Sequence, residues 1–132
     1  MSLIFDTSIL IDIDRGDKKT IAKIEELRKM YPLPATIVFI AYFEFLLGLK
    51  NKSVKNKEKS KEFIEKFNVL QTTKNTADKL VELKQKYELP LADLLIASQV
   101  LENNGILITK DNDFKAINEI EKIIIKSSNQ IL

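Results

Sequence analysis

Five short apolar runs alternate with longer segments of helical character, and this alternation restricts the chain to a small set of folds. Most of the runs are rich in the β-branched residues that strands favour. They occupy residues 3–5, 35–39, 68–72, 106–109 and 122–126. Strands that alternate with helices favour βαβ units, which build a parallel sheet with helices on both faces. We therefore predict an α/β fold with a parallel sheet.

The segments between the runs have helical periodicity or helical length. Helices are predicted at residues 8–16, 17–30, 40–50, 76–88, 89–105 and 112–120. Gly16 and the pair Asn104-Gly105 are typical signals for the end of a helix. The lysine-rich stretch at 51–61 predicts an exposed loop that leads into another helix. No linker or internal repeat divides the chain, so residues 1–132 are expected to form one domain.

The chain has no histidine and no cysteine, and this absence excludes several classes of catalysis and of metal site. It rules out serine–histidine–aspartate and cysteine–histidine mechanisms, histidine general bases, and zinc held by imidazole or thiolate. Disulfide bonds are ruled out as well. Any chemistry must use carboxylates, hydroxyls, lysines or a metal held by oxygen atoms. The formal net charge of +2 does not by itself indicate a class of partner.

The sequence also lacks the signals of a membrane or secreted protein. No apolar run approaches the roughly 20 residues that span a bilayer. The N-terminal stretch, MSLIFD, lacks the basic start and the long apolar stretch of a signal peptide. We therefore expect a soluble cytoplasmic protein with no membrane partner.

Three aspartates directly follow predicted strands. Asp6 follows the run at 3–5, and Asp111 and Asp113 follow the run at 106–109. Ordinary explanations exist, because aspartate caps helices and is common in turns. However, ligands of parallel α/β sheets bind at the carboxyl ends of the strands. If the two strands are parallel neighbours, these three acids lie at one edge of the sheet.

Two further acids stand in apolar helical segments. Glu44 is the one charged residue in the stretch FIAYFEFLLGL, at 39–49. A carboxylate there is costly to bury unless it is paired, protonated or coordinated. Asp93 lies on the same helical face as apolar residues at i+3, i+4, i+7 and i+8, in the first turn of its helix. A solvated acid and a simple first-turn acid are the alternative interpretations of Glu44 and Asp93.

Acids that converge on one edge would repel each other strongly unless a cation lies between them. Without histidine or cysteine, the matching cation is a hard ion bound through oxygen, such as Mg²⁺ or Mn²⁺. Such a site favours hydrolysis of phosphodiester bonds by water, with no covalent enzyme intermediate. Asp93 and Glu44 are both candidates for the carboxylate that accepts a proton from the water. Whether one metal ion or two would bind stays open.

A polyanionic substrate also requires positive charge beside the acids. Lys110 lies inside the aspartate motif, and Lys50 and Lys52 follow the apolar helix that carries Glu44. These three lysines are candidates for substrate binding, although most lysine-rich stretches are only solvated surface. If they bind a nucleic acid, the affinity falls steeply with added salt.

Four stretches of the chain together resemble the PIN-domain ribonucleases. They are Asp6 in DTS after the first strand, Glu44 alone on an apolar helix, Asp93 in LADLLIAS, and ITKDNDF near the end of the chain. The resemblance is closest to the small VapC-type toxins of toxin–antitoxin pairs. It implies a three-layer α/β/α sandwich with a central parallel sheet of about five strands. It also implies cleavage of RNA that depends on Mg²⁺ or Mn²⁺, a homodimer, and a small antitoxin as partner.

The resemblance assigns roles to residues of this chain by their place in the matching motifs. The catalytic and metal-binding acids are Asp6, Glu44, Asp93 and Asp111, and Asp113 is a further metal ligand. The hydroxyls of Thr7 or Ser8 occupy a place where the family often keeps a polar residue that supports the ligands. Thr109 is predicted to serve in the same way.

Two alternatives come from other functional classes. A catalytically idle PIN-like module would keep the fold and bind a partner protein or RNA. A receiver-like signalling domain would also have an acidic pocket at the strand ends, but it requires an acid after a middle strand. The run NVLQT at 68–72 ends without one, and Asp93 lies within a predicted helix.

Overall fold

The computed structural model describes residues 1–126 and contains a five-stranded sheet with helices packed around it. The strands are β1 (Leu3–Phe5), β2 (Thr36–Val38), β3 (Asn68–Leu70), β4 (Ile106–Thr109) and β5 (Glu121–Ile124). The α-helices are α1 (Thr7–Arg15), α2 (Lys18–Met30), α3 (Phe39–Leu47), α4 (Val54–Glu65), α5 (Lys74–Lys86) and α6 (Leu91–Glu102). Short 3₁₀ helices occupy Gly48–Asn51 and Asn112–Ala116.

The sheet is parallel throughout, with the strand order β3-β2-β1-β4-β5. Its central strand is β1, where Ile4 lies opposite Thr36 of β2 on one side and opposite Leu107 of β4 on the other. Helices flank the sheet, which confirms the predicted α/β/α sandwich with a parallel sheet of five strands. Because β1 and β4 pair directly, their carboxyl ends meet at one edge of the sheet.

The two paired strands β1 and β4 are buried along their whole length. A parallel sheet that is covered on both faces requires continuous apolar strands rather than alternating ones, and LIF and ILIT satisfy this requirement. Thr109, at the end of β4, is the polar exception and is fully buried. A buried hydroxyl requires a hydrogen-bond partner, so the end of β4 must offer one.

The predicted loop at 51–61 is wrong over most of its length, because α4 begins at Val54. The Ser53 hydroxyl caps this helix by accepting a hydrogen bond from the Asn56 N–H. Ser60 and Ile64, one helical turn apart, are buried against the rest of the protein. Lysine has good helix propensity, so a narrow buried stripe is enough to hold a lysine-rich segment in a helix.

Three smaller observations complete the description of the fold. The helix predicted at 112–120 is a 3₁₀ helix limited to Asn112–Ala116. Gly16 ends α1 in the left-handed conformation, with φ of 76°, as the sequence predicts. Among residues 1–126, no helix combines the length and the apolar character that a membrane span requires.

Substituting Gly105 by alanine tests how tightly β4 packs against β1. A Cβ at Gly105 would lie 2.9 Å from Ile4 Cγ1 and 3.2 Å from the Ser2 carbonyl oxygen. Because Ile4 is fully buried, it has no room to move away. We expect Gly105→Ala to lower the free energy of unfolding by about 1–3 kcal/mol, as overpacking usually does. Urea denaturation measures this change.

Gly48→Ala is the matched control for that substitution. A Cβ at Gly48 would meet no atom within 4 Å, and Gly48 already has right-handed helical backbone angles. Its substitution is expected to leave stability unchanged or to raise it by up to about 1 kcal/mol. Equal unfolding free energies for the two variants would contradict the close packing at Gly105.

Candidate metal centre

Asp6 is held at the junction of β1 and α1 by two hydrogen bonds to its side chain. Its Oδ1 accepts a hydrogen bond of 2.8 Å from the Thr7 N–H, which caps α1. Its Oδ2 accepts a hydrogen bond of 2.7 Å from the Thr109 hydroxyl at the end of β4. The side chain is therefore a helix cap and also a link between the two central strands. Burial at 7% exposure leaves it little freedom to turn away.

The loop after β4 brings Asp111 and Asp113 to the same edge. The Asp111 N–H donates a hydrogen bond of 3.0 Å to the Thr109 hydroxyl oxygen, so this hydroxyl joins the loop to Asp6. Asp111 Oδ1 accepts a hydrogen bond of 2.9 Å from the Asp113 N–H and caps the 3₁₀ helix that follows. Asp111 therefore forms the hydrogen bond that is typical of an aspartate in a turn, as predicted. The Thr109 hydroxyl links its backbone to the side chain of Asp6.

Glu44 reaches this edge from α3. The Thr7 hydroxyl donates a hydrogen bond of 2.8 Å to Glu44 Oε1, across 37 positions of the sequence. Because Thr7 follows Asp6 directly, this bond brings Glu44 close to the end of β1. Glu44 is half-buried and therefore faces the site rather than bulk solvent.

Asp93 completes the group from the first turn of α6. Oxygen atoms of Asp93, Asp111 and Asp113 all lie within 4.8 Å of one another. Asp93 and Asp111 are half-buried, whereas Asp113 is exposed at the mouth of the site. The structure thus brings together the five acids that the sequence singled out, from four separate segments of the chain.

The pKa values of two of these acids show that the five charges interact. Burial, and then the charges of Glu44 and Asp111, raise the pKa of Asp6, while hydrogen bonds from Thr109 and Thr7 oppose this rise. Burial, together with the charges of the other four acids, raises the pKa of Asp93 to about 6. The ionised cluster is therefore under mutual repulsion in the metal-free protein.

No cationic side chain relieves this repulsion in the part of the chain that the structure describes. The ion pairs within residues 1–126 join Lys23 to Glu26, Lys52 to Asp14, Lys86 to Glu119 and Lys110 to Asp12. None of these pairs includes an acid of the site. A cation from solution would relieve this repulsion.

The residues present fit a divalent ion with a preference for oxygen. Mg²⁺ and Mn²⁺ bind carboxylate oxygens, and ligand distances of about 2.1 Å place opposite ligands about 4.2 Å apart. The spacing of Asp93, Asp111 and Asp113, with oxygens within 4.8 Å of one another, is close to this requirement. Asp6 and Glu44 are close enough for their charges to act on Asp93, and they offer further carboxylate oxygens.

The three lysines predicted to bind substrate have different surroundings. The Lys110 ammonium donates a hydrogen bond of 2.8 Å to Asp12, and the Lys52 ammonium lies 3.2 Å from Asp14. Both ammonium groups are paired with acids of α1, and a substrate role for these two residues stays a prediction. Lys50 is exposed, and its role stays a prediction.

Two predicted supporting hydroxyls contact the acids, and the structure also contains a network that the sequence reasoning missed. Thr7 and Thr109 donate to Glu44 and Asp6, as described above, while Ser8 accepts a hydrogen bond of 3.2 Å from the Lys110 N–H.

The missed residue is Asp12, a buried acid within the apolar stretch of α1. Its place in ILIDID was the available signal, because an acid among apolar residues requires a partner.

The stability of the metal-free protein should depend on the charge of Asp93. The pKa of Asp93 rises from 3.8 to about 6 on folding, so between these values the folded protein keeps a proton that the unfolded chain has lost. The contribution of this group to stability therefore falls as the pH rises from about 4 to about 6. Asp93→Asn cannot ionise, so we expect it to gain stability relative to wild type across this window. Urea denaturation in EDTA measures the difference, and a difference that stays constant with pH would contradict the repulsion.

Three solved structures are similar to this chain over almost its whole length. A toxin–antitoxin complex from Klebsiella pneumoniae has a chain with 25% identity and a TM-score of 0.77, and the match covers 96% of this chain and 100% of that one. VapBC-1 from nontypeable Haemophilus influenzae has 27% identity and a TM-score of 0.76, covering 94% of this chain and 98% of that one. VapBC2 from Rickettsia felis, bound to a DNA fragment from its promoter, shares the fold with 23% identity and a TM-score of 0.79, at 94% and 98% coverage. No curated protein matches this sequence significantly.

The family model of the PIN domain matches residues 3–120, a range that includes all five acids of the site. This match excludes the receiver-like alternative. It also agrees with the five-stranded parallel sheet flanked by helices. The chain belongs to the PIN-domain family.

Proposed function

We propose that this protein is an endoribonuclease that depends on Mg²⁺ or Mn²⁺ and hydrolyses phosphodiester bonds of RNA. We further propose that it is the toxin of a VapBC-type toxin–antitoxin pair. The observation that carries the proposal is the gathering of five carboxylates at one sheet edge without a cationic side chain in contact, within residues 1–126. Membership of the PIN family and similarity to toxin–antitoxin structures support the same conclusion.

The proposed metal ligands are those that the resemblance assigns: Asp6, Glu44, Asp93, Asp111 and Asp113. When bound, the ion supplies positive charge that stabilises the phosphoryl group and makes water a better nucleophile. The protein holds the carboxylates in place for the ion through short hydroxyl contacts. Thr109 fixes one oxygen of Asp6, and Thr7 fixes one oxygen of Glu44. These contacts keep like charges together before any ion arrives.

The attacking water must lose a proton, and the acids of the site are the groups that can accept it. Asp93 and Glu44 are the two candidates, because both are half-buried and enter the site from helices rather than from the strand ends. Hydrolysis of this kind breaks the bond between phosphorus and the leaving oxygen of RNA. It needs no covalent bond between the protein and the phosphate.

Cleavage of structured RNA in the presence of Mn²⁺ tests the proposed activity. Wild-type protein should cleave, and Asp6→Asn and Asp111→Asn should each lose at least about 100-fold in rate. Removing a group that only supports a metal ligand costs about 10- to 100-fold, and removing a ligand itself should cost at least the upper value of that range. Asp14→Asn is the control, because Asp14 is paired with Lys52 and is not one of the five acids. Gel analysis of labelled RNA with Mn²⁺, with Mg²⁺ and with EDTA gives the rates.

Two outcomes would contradict the proposed activity. Equal cleavage by wild type and both site variants would mean that the cleavage does not come from these acids. Absence of cleavage with several RNAs and both ions would favour the catalytically idle PIN-like module. In that case the acids would serve binding rather than hydrolysis.

We also propose two protein partners, a second copy of the chain and a small antitoxin. The antitoxin is supported by the toxin–antitoxin complex that this chain resembles at 25% identity. The homodimer is supported by an apolar stripe on α3, formed by Phe39, Phe43 and Leu47, which are 46%, 48% and 54% exposed. These residues lie one helical turn apart, and an exposed apolar stripe of this kind marks an interaction surface.

Light scattering of the purified protein tests the homodimer. We expect a mass near twice the 15.2 kDa of one chain for the wild type. Phe43→Ser should shift the mass toward one chain, because it removes the middle of the stripe. Val81→Ser is the matched control, since Val81 is an apolar residue on α5, outside the α3 stripe, that is 57% exposed. A wild-type monomer, or equal masses for both variants, would contradict this use of the α3 stripe.

A further inference from the structure

The loop that carries Asp111 is fastened to one face of α1. The Lys110 N–H donates a hydrogen bond of 3.2 Å to the Ser8 hydroxyl oxygen, and the Lys110 ammonium donates one of 2.8 Å to Asp12 Oδ2. Ser8 and Asp12 lie one helical turn apart, so they form a single contact surface for Lys110. The residue next to the candidate ligand Asp111 is thus held at both its backbone and its side chain.

Asp12 has the properties of a buried anchor. It is 7% exposed, and its Oδ2 accepts a second hydrogen bond, of 2.6 Å, from the Thr20 hydroxyl of α2. A buried carboxylate is tolerated when a cation and a hydroxyl satisfy it, as Lys110 and Thr20 do here. The same oxygen therefore ties α1 to α2 and to the loop after β4, whose Lys110 is 98 positions away in the sequence.

We propose that Asp12 is a positioning residue for the candidate metal centre, acting through Lys110. It has two effects that follow from one ion pair. It fixes the backbone at Lys110, so that Asp111 stays beside Asp6 and Asp93. It also holds the Lys110 ammonium on α1, away from the five acids that this charge would otherwise neutralise. The inference rests on the proposed metal site and adds to it a residue outside the set of ligands.

Removal of the Asp12 charge should weaken both effects. In Asp12→Asn, the amide still accepts a hydrogen bond from Thr20, but it no longer attracts the ammonium of Lys110. The released ammonium lies next to Asp111 in the chain and competes with a divalent ion for the acids. The loop also loses one of the contacts that hold it to α1. Both changes lower the affinity of the site for Mn²⁺.

The chain contains a closely matched control pair two residues further along α1. Asp14 pairs with Lys52 at 3.2 Å, and it also accepts a hydrogen bond of 2.6 Å from the buried Ser60 hydroxyl. The side chains of Asp12 and Asp14 are both 11% exposed. These contacts hold α1 to the segment before α4 and to α4 itself, rather than to the loop after β4. Asp14→Asn therefore removes a similar ion pair without touching that loop.

Titration calorimetry with Mn²⁺ alone measures the predicted effect. We expect Asp12→Asn to raise the dissociation constant for Mn²⁺ about tenfold, in the range found for residues that support metal ligands. Asp14→Asn should stay within about twofold of wild type, because it is remote from the loop. Lys110→Arg keeps the cation and should bind Mn²⁺ as the wild type does. Equal losses in Asp12→Asn and Asp14→Asn would overturn the inference, since they would reflect stability alone.

Amide hydrogen exchange in EDTA gives a second measurement that does not need the metal. The amides of Lys110 and Asp111 should exchange about tenfold faster in Asp12→Asn than in wild type, and at the wild-type rate in Asp14→Asn. If Asp12→Asn fails to fold, Lys110→Gln breaks the same pair from its half-buried side and is measured in its place. Unchanged exchange in the variant that breaks the pair would overturn the positioning role.

The two measurements also separate this inference from the proposed function. If wild-type protein binds no Mn²⁺, the proposed metal site fails, and with it the part of the inference that concerns affinity. The exchange rates in EDTA still decide whether Asp12 holds the loop. If Mn²⁺ binds equally to wild type and Asp12→Asn, the metal site stands and the inference is overturned.

Discussion

The pairing of β1 with β4 is the interaction on which the candidate site depends. Their parallel register sets Phe5 opposite Ile108, so the residues that follow each strand leave the sheet at the same height. Asp6 follows one strand, and Thr109 ends the other. The hydrogen bond between their side chains continues the contact between the strands beyond the sheet. Asp6 and Thr109 are themselves buried, so this end of the candidate site lies directly on the core of the protein.

Repulsion among the five acids lowers the stability of the folded protein. Burial and the neighbouring acids raise the pKa of Asp93 to about 6, so folding makes ionisation of this carboxyl less favourable. A sequence selected for stability alone would not keep five carboxylates together with no cation in contact among residues 1–126. Local violations of the rules for folding are typical of functional sites, where the rest of the structure compensates for them. Here the compensation comes from the hydroxyls of Thr7 and Thr109 and from a largely apolar core around the central strands.

Much of the fold and the convergence of the acids could be predicted from the sequence, because both follow from patterns along the chain. Apolar runs and stop signals such as Gly16 gave the order of strands and helices. Acids at strand ends and acids inside apolar helices indicated the group of carboxylates that the structure brings together. The lysine-rich first part of α4 was predicted as a loop, because its buried stripe is narrow and charge dominates its composition. The pair formed by Asp12 and Lys110 was missed for a different reason. Its partners are 98 positions apart, and a lysine next to an aspartate motif gives no sign of the direction of its side chain.

The contacts of α1 explain how acids from distant segments reach a common arrangement. Asp6 caps this helix, Thr7 in its first turn binds Glu44, and Ser8 together with Asp12 binds Lys110. One helix of nine residues thus contacts the segment before it, the helix α3 and the loop after β4. The hydrogen bonds of α1 therefore link the helix that carries Glu44 to the loop that carries Asp111, and the buried carboxylate of Asp12 adds α2 to the same set of contacts.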